Sequence, residues 1–112
     1  MIRTTILHEE KEAIKDFSKR LYGELESNIV SILLFGSKSR GNYKKDSDTD
    51  ILVVLKNPSE DQINYIYAAV MDIVSEYKIY LSVKIFSEKE FEYYKSIPTM
   101  FVNNVLRDGI KI

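Results

Sequence analysis

The sequence contains no cysteine and no tryptophan, one histidine, two prolines and four glycines. Without cysteine there is neither a disulfide framework nor a thiolate metal site, so a Cys-ligated zinc is excluded and a reducing compartment, the cytoplasm, is expected. The lone His8 reads as a surface or packing residue and not as a catalytic one. No apolar run is long enough to span a bilayer, and no membrane partner is expected. Residues 1–10, MIRTTILHEE, mix Arg, His and two Glu with a few apolar residues, unlike the apolar core of a secretory signal. An excess of one charge is also missing. Sixteen Lys and Arg against 17 Asp and Glu leave a formal net charge of −1. Direct nucleic-acid binding is therefore not expected, and any anion site must be local. One local concentration exists, Lys38, Arg40, Lys44 and Lys45 within a short polar stretch.

What is present is ordinary globular material: 112 residues, 45% hydrophobic and 29% charged. That length suits one domain over 1–112, with one core and no room for a separate substrate domain. Apolar positions Ala13, Ile14, Phe17, Leu21 and Leu25 recur three or four apart and predict an amphipathic helix over 9–27. Asn28 to Phe35 is a nearly continuous apolar run that ends at Gly36, as in a strand covered on both faces. A second such strand spans Thr49 to Leu55. Ser59 is a suitable N-cap for a helix over 60–77, where Ile63, Ile66, Tyr67, Val70, Ile73, Val74 and Tyr77 keep helical spacing. Tyr22, Tyr67 and Tyr77 fall at core or rim positions of these helices. Residues 78–86 alternate as a third strand, with Ile79, Leu81, Val83 and Ile85 on one face. Ser87 with Glu90 forms a capping-box pattern for a helix to about Lys95, and Pro98 opens a last helix through Arg107 that Asp108-Gly109 should stop. The predicted class is α/β (α+β), a small mixed sheet covered by helices.

Chemistry concentrates in residues 34–54, LFGSKSRGNYKKDSDTDILVV. A buried strand runs into Gly36-Ser37, where glycine lets backbone N–H groups approach a phosphate and the serine hydroxyl can face it. Arg40 is a candidate phosphate contact, whereas Lys38, Lys44 and Lys45 are equally compatible with a solvated face. Asp48 and Asp50 stand two apart at the start of a strand, so the period of two points both carboxylates the same way. Paired carboxylates with phosphate oxygens make a hard oxygen site suited to Mg²⁺.

Gly36-Ser37, ten residues, then Asp48-x-Asp50 between apolar strands resembles the nucleotidyltransferase signature of the DNA polymerase β-like superfamily, and within it the minimal nucleotidyltransferase group. The ending PTMFVNNVLRDGIKI is also similar to that group's C-terminal helix and tail. The resemblance implies a nucleotidyltransferase-like fold, with Gly36 and Ser37 on the β- and γ-phosphates of ATP or another NTP and Asp48 and Asp50 holding metal. It also implies a protein partner. Many members of the group are encoded beside a helical HEPN toxin with ribonuclease activity, and some neutralise it by transferring AMP to a tyrosine. The expected function is thus an antitoxin that adenylylates a HEPN-like partner. A catalytically weak antitoxin subunit and a small-molecule nucleotidyltransferase are the alternatives, and a homodimer is compatible with the same apolar surfaces.

The superfamily carries a third carboxylate on the following strand. Aligning KIYLSVKIF with that strand puts Tyr80 in its place, with Ser82 and Lys84 on the same face, and none of the three is acidic. A neutral phenol with a reference pKa of about 10 is a poor Mg²⁺ ligand and a poor base. Asp72 and Glu76 are the acids nearest in sequence, and both are expected on the preceding helix.

Overall fold

The computed structural model describes residues 8–35, 49–97 and 109–112. Helix α1 (His8–Leu25) leads through a short 3₁₀ turn (Glu26–Asn28) into β1 (Ile29–Phe35). Strand β2 (Thr49–Leu55), helix α2 (Glu60–Tyr77), strand β3 (Leu81–Ser87) and helix α3 (Glu88–Lys95) follow, and the described chain ends with a two-residue strand β4 (Ile110–Lys111). The sheet order is β3-β2-β1-β4. β1 pairs antiparallel with β2 and β4, while β2 and β3 run parallel. A parallel pair needs a crossover connection, which α2 provides. The expected last helix, from Pro98 to Arg107, and Asp108 lie outside the described residues.

Local chemistry explains most boundaries. The Ser59 side chain accepts from the Gln62 backbone N–H at 3.2 Å while Gln62 reaches back to the Ser59 N–H, a reciprocal cap that satisfies two otherwise orphaned donors. Ser87 and Glu90 do the same for α3 at 3.0 and 2.9 Å. At its other end α2 stops on Lys78, which adopts the left-handed conformation with φ 57° and sends its N–H to the Val74 carbonyl. That cap uses up Lys78, and β3 begins at Leu81 instead of at the predicted residue 78. The start of β1 is tied to the end of β2 by Asn28. Its amide donates to the Asn57 carbonyl at 3.0 Å and to Gln62 Oε1 at 2.7 Å, and its Oδ1 accepts from Asn57 N–H.

The two faces of the sheet are covered unequally. On one, Ile32, Leu34, Ile51, Val53 and Leu55 pack with Ala13, Phe17 and Leu21 of α1 and Ile66, Ala69 and Ile73 of α2. Each fully buried large aliphatic there contributes roughly 1.5–3 kcal/mol of transfer free energy. The other face carries a smaller cluster, Phe35, Leu52, Val54 and Phe91, with Leu33 and Phe86 packed against it. Phe86 extends it toward α3, with ring centroids 6.4 Å from Phe91 and 5.5 Å from Tyr94.

A polar knot joins α1 and α2. Arg20 Nε donates to Asp16 at 2.8 Å, Arg20 Nη2 reaches Glu76 at 3.0 Å, and Asp72 lies 3.6 Å from the same guanidinium. Tyr77 donates its hydroxyl to Asp16 at 2.8 Å. The hydrogen bonds from Arg20 and then from Tyr77 hold the Asp16 carboxyl below its ordinary value. The same contact with Asp16 pushes the Tyr77 phenol up. Tyr22 and Tyr67 sit at the rim, 38% and 49% exposed.

Candidate active site

Strand alternation divides β2 into two sets. Thr49, Ile51, Val53 and Leu55 face α1 and α2, and Asp50, Leu52 and Val54 face the side of α3. Asp50 is therefore the polar, half-exposed end of an otherwise apolar row. Its antiparallel partner is Phe35, the last residue of β1, and its parallel partner is Ser82, the second residue of β3. The backbone beneath it is fixed from below, with Thr49 N–H donating to the Tyr80 carbonyl at 2.9 Å. Thr49 itself is 1% exposed, and its hydroxyl has no hydrogen-bond partner among the described residues. It faces the helical core, so it is not part of the Asp50 side.

Of the residues expected to bind nucleotide or metal, Asp50 is the one within the described residues. Gly36, Ser37, Lys38, Arg40, Lys44, Lys45 and Asp48 lie outside the described residues. The register still carries information about them. Gly36 is bonded to Phe35, and Phe35 pairs with Asp50, so the chain leaves the sheet toward Gly36-Ser37 directly beside the aspartate. Two apolar strands in antiparallel register thus bring together the ends of a polar segment that are far apart in sequence.

Tyr80, aligned in the sequence with the third carboxylate, is backbone-bonded to Thr49 at the entry to β3. Tyr80 lies ahead of β3 and is 63% exposed, whereas the residue level with Asp50 on the neighbouring strand is Ser82, followed on that face by Lys84, which pairs with Leu52. The difference arises because the left-handed cap at Lys78 shifts the start of the strand, and no periodicity reveals that shift. Ser82 and Lys84 share the aspartate side with Phe86, the common face that alternation predicts for Ser82 and Lys84. Asp72 and Glu76 are held by Arg20 on the opposite side of the sheet and do not approach Asp50.

The donor set fits a hard divalent cation. Carboxylate and hydroxyl oxygens line the Asp50 level of the sheet, without imidazole or thiol groups that would favour softer metals. Among the described residues no group of three or more His, Cys, Asp or Glu gathers around a common point, and Asp50 is the sole carboxylate on the described strands β1, β2 and β3.

Comparison with known proteins adds to this geometry. Residues 11–112 match the family model of the nucleotidyltransferase domain. Two predicted protein adenylyltransferases of Methanocaldococcus jannaschii are similar to the chain. One is 33% identical over 100 residues, covering 89% of this chain and 94% of the relative, and the other is 30% identical over 102 residues, covering 90% and 96%. Among solved structures, spectinomycin adenyltransferase from Enterococcus faecialis with ATP and spectinomycin superposes with a TM-score of 0.69 at 20% identity. That match covers 91% of this chain and 55% of the enzyme. A toxin–antitoxin complex with AMP-PNP superposes at 0.55 and 21% identity, covering 94% of this chain and 72% of that one. These structural likenesses speak to the fold. With the sheet order, the aspartate beside the β1 exit and a family match over nearly the whole chain, the protein belongs to the nucleotidyltransferase domain family.

Proposed function

We propose that the chain is a protein adenylyltransferase that uses Mg·ATP to modify a hydroxyl, a tyrosine by the resemblance to minimal nucleotidyltransferases, on a HEPN-like toxin and so acts as an antitoxin. The observation that carries this reading is Asp50, a half-exposed carboxylate on an apolar strand, level with the point where the chain enters Gly36-Ser37. The two archaeal relatives, named as protein adenylyltransferases and matched over almost their full length, support the choice of reaction.

In this reading Gly36 and Ser37 bind the triphosphate, Arg40 offsets its charge, and Asp48 and Asp50 hold the divalent cation. Mg²⁺, when bound, neutralises charge on the phosphoryl group and orients it for in-line attack. The acceptor oxygen forms a bond to the α-phosphorus, the bond to pyrophosphate breaks, and the hydroxyl proton leaves to solvent or pyrophosphate. No carboxylate on β3 stands beside Asp50 to receive that proton. This observation favours a second reading, an antitoxin subunit that binds nucleotide and partner but turns over slowly.

The test is incubation of purified chain with a HEPN-like protein and ATP labelled at the α-phosphate. Label on the partner that disappears with Asp50→Asn is the expected result. A stable complex without transfer selects the second reading, and neither complex nor transfer refutes both.

A further inference from the structure

The order of the strands fixes the side of Asp50 from which each reactant comes, because β1 flanks β2 on one side and β3 on the other. The chain enters Gly36-Ser37 from Phe35, the β1 partner of Asp50, so the β- and γ-phosphates of the proposed site belong to the β1 side. In-line displacement at the α-phosphorus sets the attacking oxygen opposite the departing pyrophosphate. The acceptor therefore approaches from the β3 side.

A phenol of this chain stands on that side. Ile79 and Leu81 both pack against the helical core, so alternation turns Tyr80, between them, to the face of Asp50. The Tyr80 carbonyl accepts from Thr49 N–H at 2.9 Å, which carries the pairing of β2 and β3 up to this residue. Ser82 is in register with Asp50, and Tyr80 is two residues further up. Spacings of about 4.8 Å between strands and 3.3 Å per residue put the Cα atoms of Tyr80 and Asp50 roughly 8 Å apart, near enough for a phenol and a metal-bound phosphate to meet above the sheet. With 63% exposure, Tyr80 is not tied into the core. Tyr22, Tyr65, Tyr67 and Tyr77 belong to α1 and α2, which cover the opposite face. Tyr94 stacks near Phe86, whose strand partner Val54 is four residues beyond Asp50.

We infer that Tyr80 is an AMP acceptor within its own chain, so that the protein adenylylates itself when ATP is bound and no partner is seated. The inference rests on the nucleotide-site reading above. The Tyr80 oxygen bonds to the α-phosphorus, the bond from that phosphorus to pyrophosphate breaks, and the phenol proton leaves to solvent or pyrophosphate. The resulting phosphodiester fills the approach that a partner hydroxyl needs, and the two acceptors compete for one nucleotide.

The test incubates the full chain with Mg²⁺ and ATP labelled at the α-phosphate, with no other protein, and identifies the labelled peptide by mass spectrometry. One AMP per chain on Tyr80 is expected, with a fraction labelled per unit time that does not change with protein concentration. Tyr80→Phe should lower labelling at least tenfold and Asp50→Asn abolish it, while Tyr43→Phe, at a tyrosine between Ser37 and Asp48, labels as wild type does. Label on Tyr43 or Ser82 instead, a rate that rises with protein concentration, or no label on a chain that binds Mg·ATP overturns the inference and leaves the nucleotide site standing. A Tyr80→Phe chain that loses label together with ATP affinity by calorimetry overturns it too, because the ring is then a nucleotide contact. A chain that binds no ATP defeats the nucleotide-site reading, and the inference falls with it.

Discussion

Replacing Asp16 by Asn probes how α1 is fastened to α2, independently of the proposed site. The carboxylate accepts from Arg20 Nε at 2.8 Å, from Arg20 Nη2 at 3.4 Å and from the Tyr77 hydroxyl at 2.8 Å. The ion pair within α1 resembles an i,i+4 helix pair, which contributes about 0.3–0.5 kcal/mol when exposed. The Tyr77 bond is charge-assisted and crosses between helices, and such bonds contribute about 1.5–3 kcal/mol when fully desolvated. Side-chain exposures of 25% for Asp16 and 30% for Arg20 require a discount for solvent screening. A net loss of about 1–2 kcal/mol at neutral pH is expected, or roughly 4–8 °C in Tm for a domain of this size. The pH dependence has a fixed sign. Asp16 is held below its ordinary value by Arg20 and then Tyr77, so its contribution is present above the unfolded value of about 3.9 and disappears as pH falls through the lower folded value. Thermal melts of wild type and Asp16→Asn should run parallel from pH 7 to about pH 5 and converge in more acid solution. A variant as stable as wild type at pH 7, or a gap that persists at the acid end, would refute the account.

Asp50→Asn should leave the melting temperature within a few degrees of wild type, because the position is half-exposed, while weakening Mg·ATP binding at least tenfold by calorimetry. Ser59→Ala removes one arm of the α2 cap and should lower stability by about 0.5–2 kcal/mol in urea titrations. Thr49→Val replaces a buried hydroxyl that has no partner among the described residues with a group of similar shape. Its denaturation midpoint should be unchanged or higher, since an unsatisfied buried polar group costs about 1–3 kcal/mol.

Where neighbouring residues decide the outcome, the sequence was readable. β2 was expected over Thr49–Leu55 and α2 over Glu60–Tyr77, and both are found so, because an unbroken apolar run and a capped amphipathic repeat leave little to tertiary context. The serine caps of α2 and α3 were legible for the same reason. Two features were not. β4 is two residues long, and Ile110-Lys111 becomes a strand only by pairing with Leu34 and Leu33, far away in sequence. The start of β3 at Leu81, and not at residue 78, depends on Lys78 accepting a positive φ, a conformation for which lysine carries no signal. At the site, the residue type and face of Asp50 followed from its own strand, but its partner Ser82 depended on an interstrand register that alternation alone leaves free.

The division of β2 into a helix-facing and an aspartate-facing row has a consequence for how such a chain can change over time. Substitutions among Ile51, Val53, Leu55 and the α1 and α2 residues above them act on folding through a layer separated from the chemistry by the thickness of the sheet. Variation at Asp50, Ser82 and Lys84 acts on the opposite surface, beside the smaller cluster of Phe35, Leu52, Val54 and Phe91. A lineage, or a combinatorial library, can therefore vary the α1 and α2 layer and the Asp50 surface from opposite sides of one sheet, with the main-chain register of β1, β2 and β3 as the shared constraint on both.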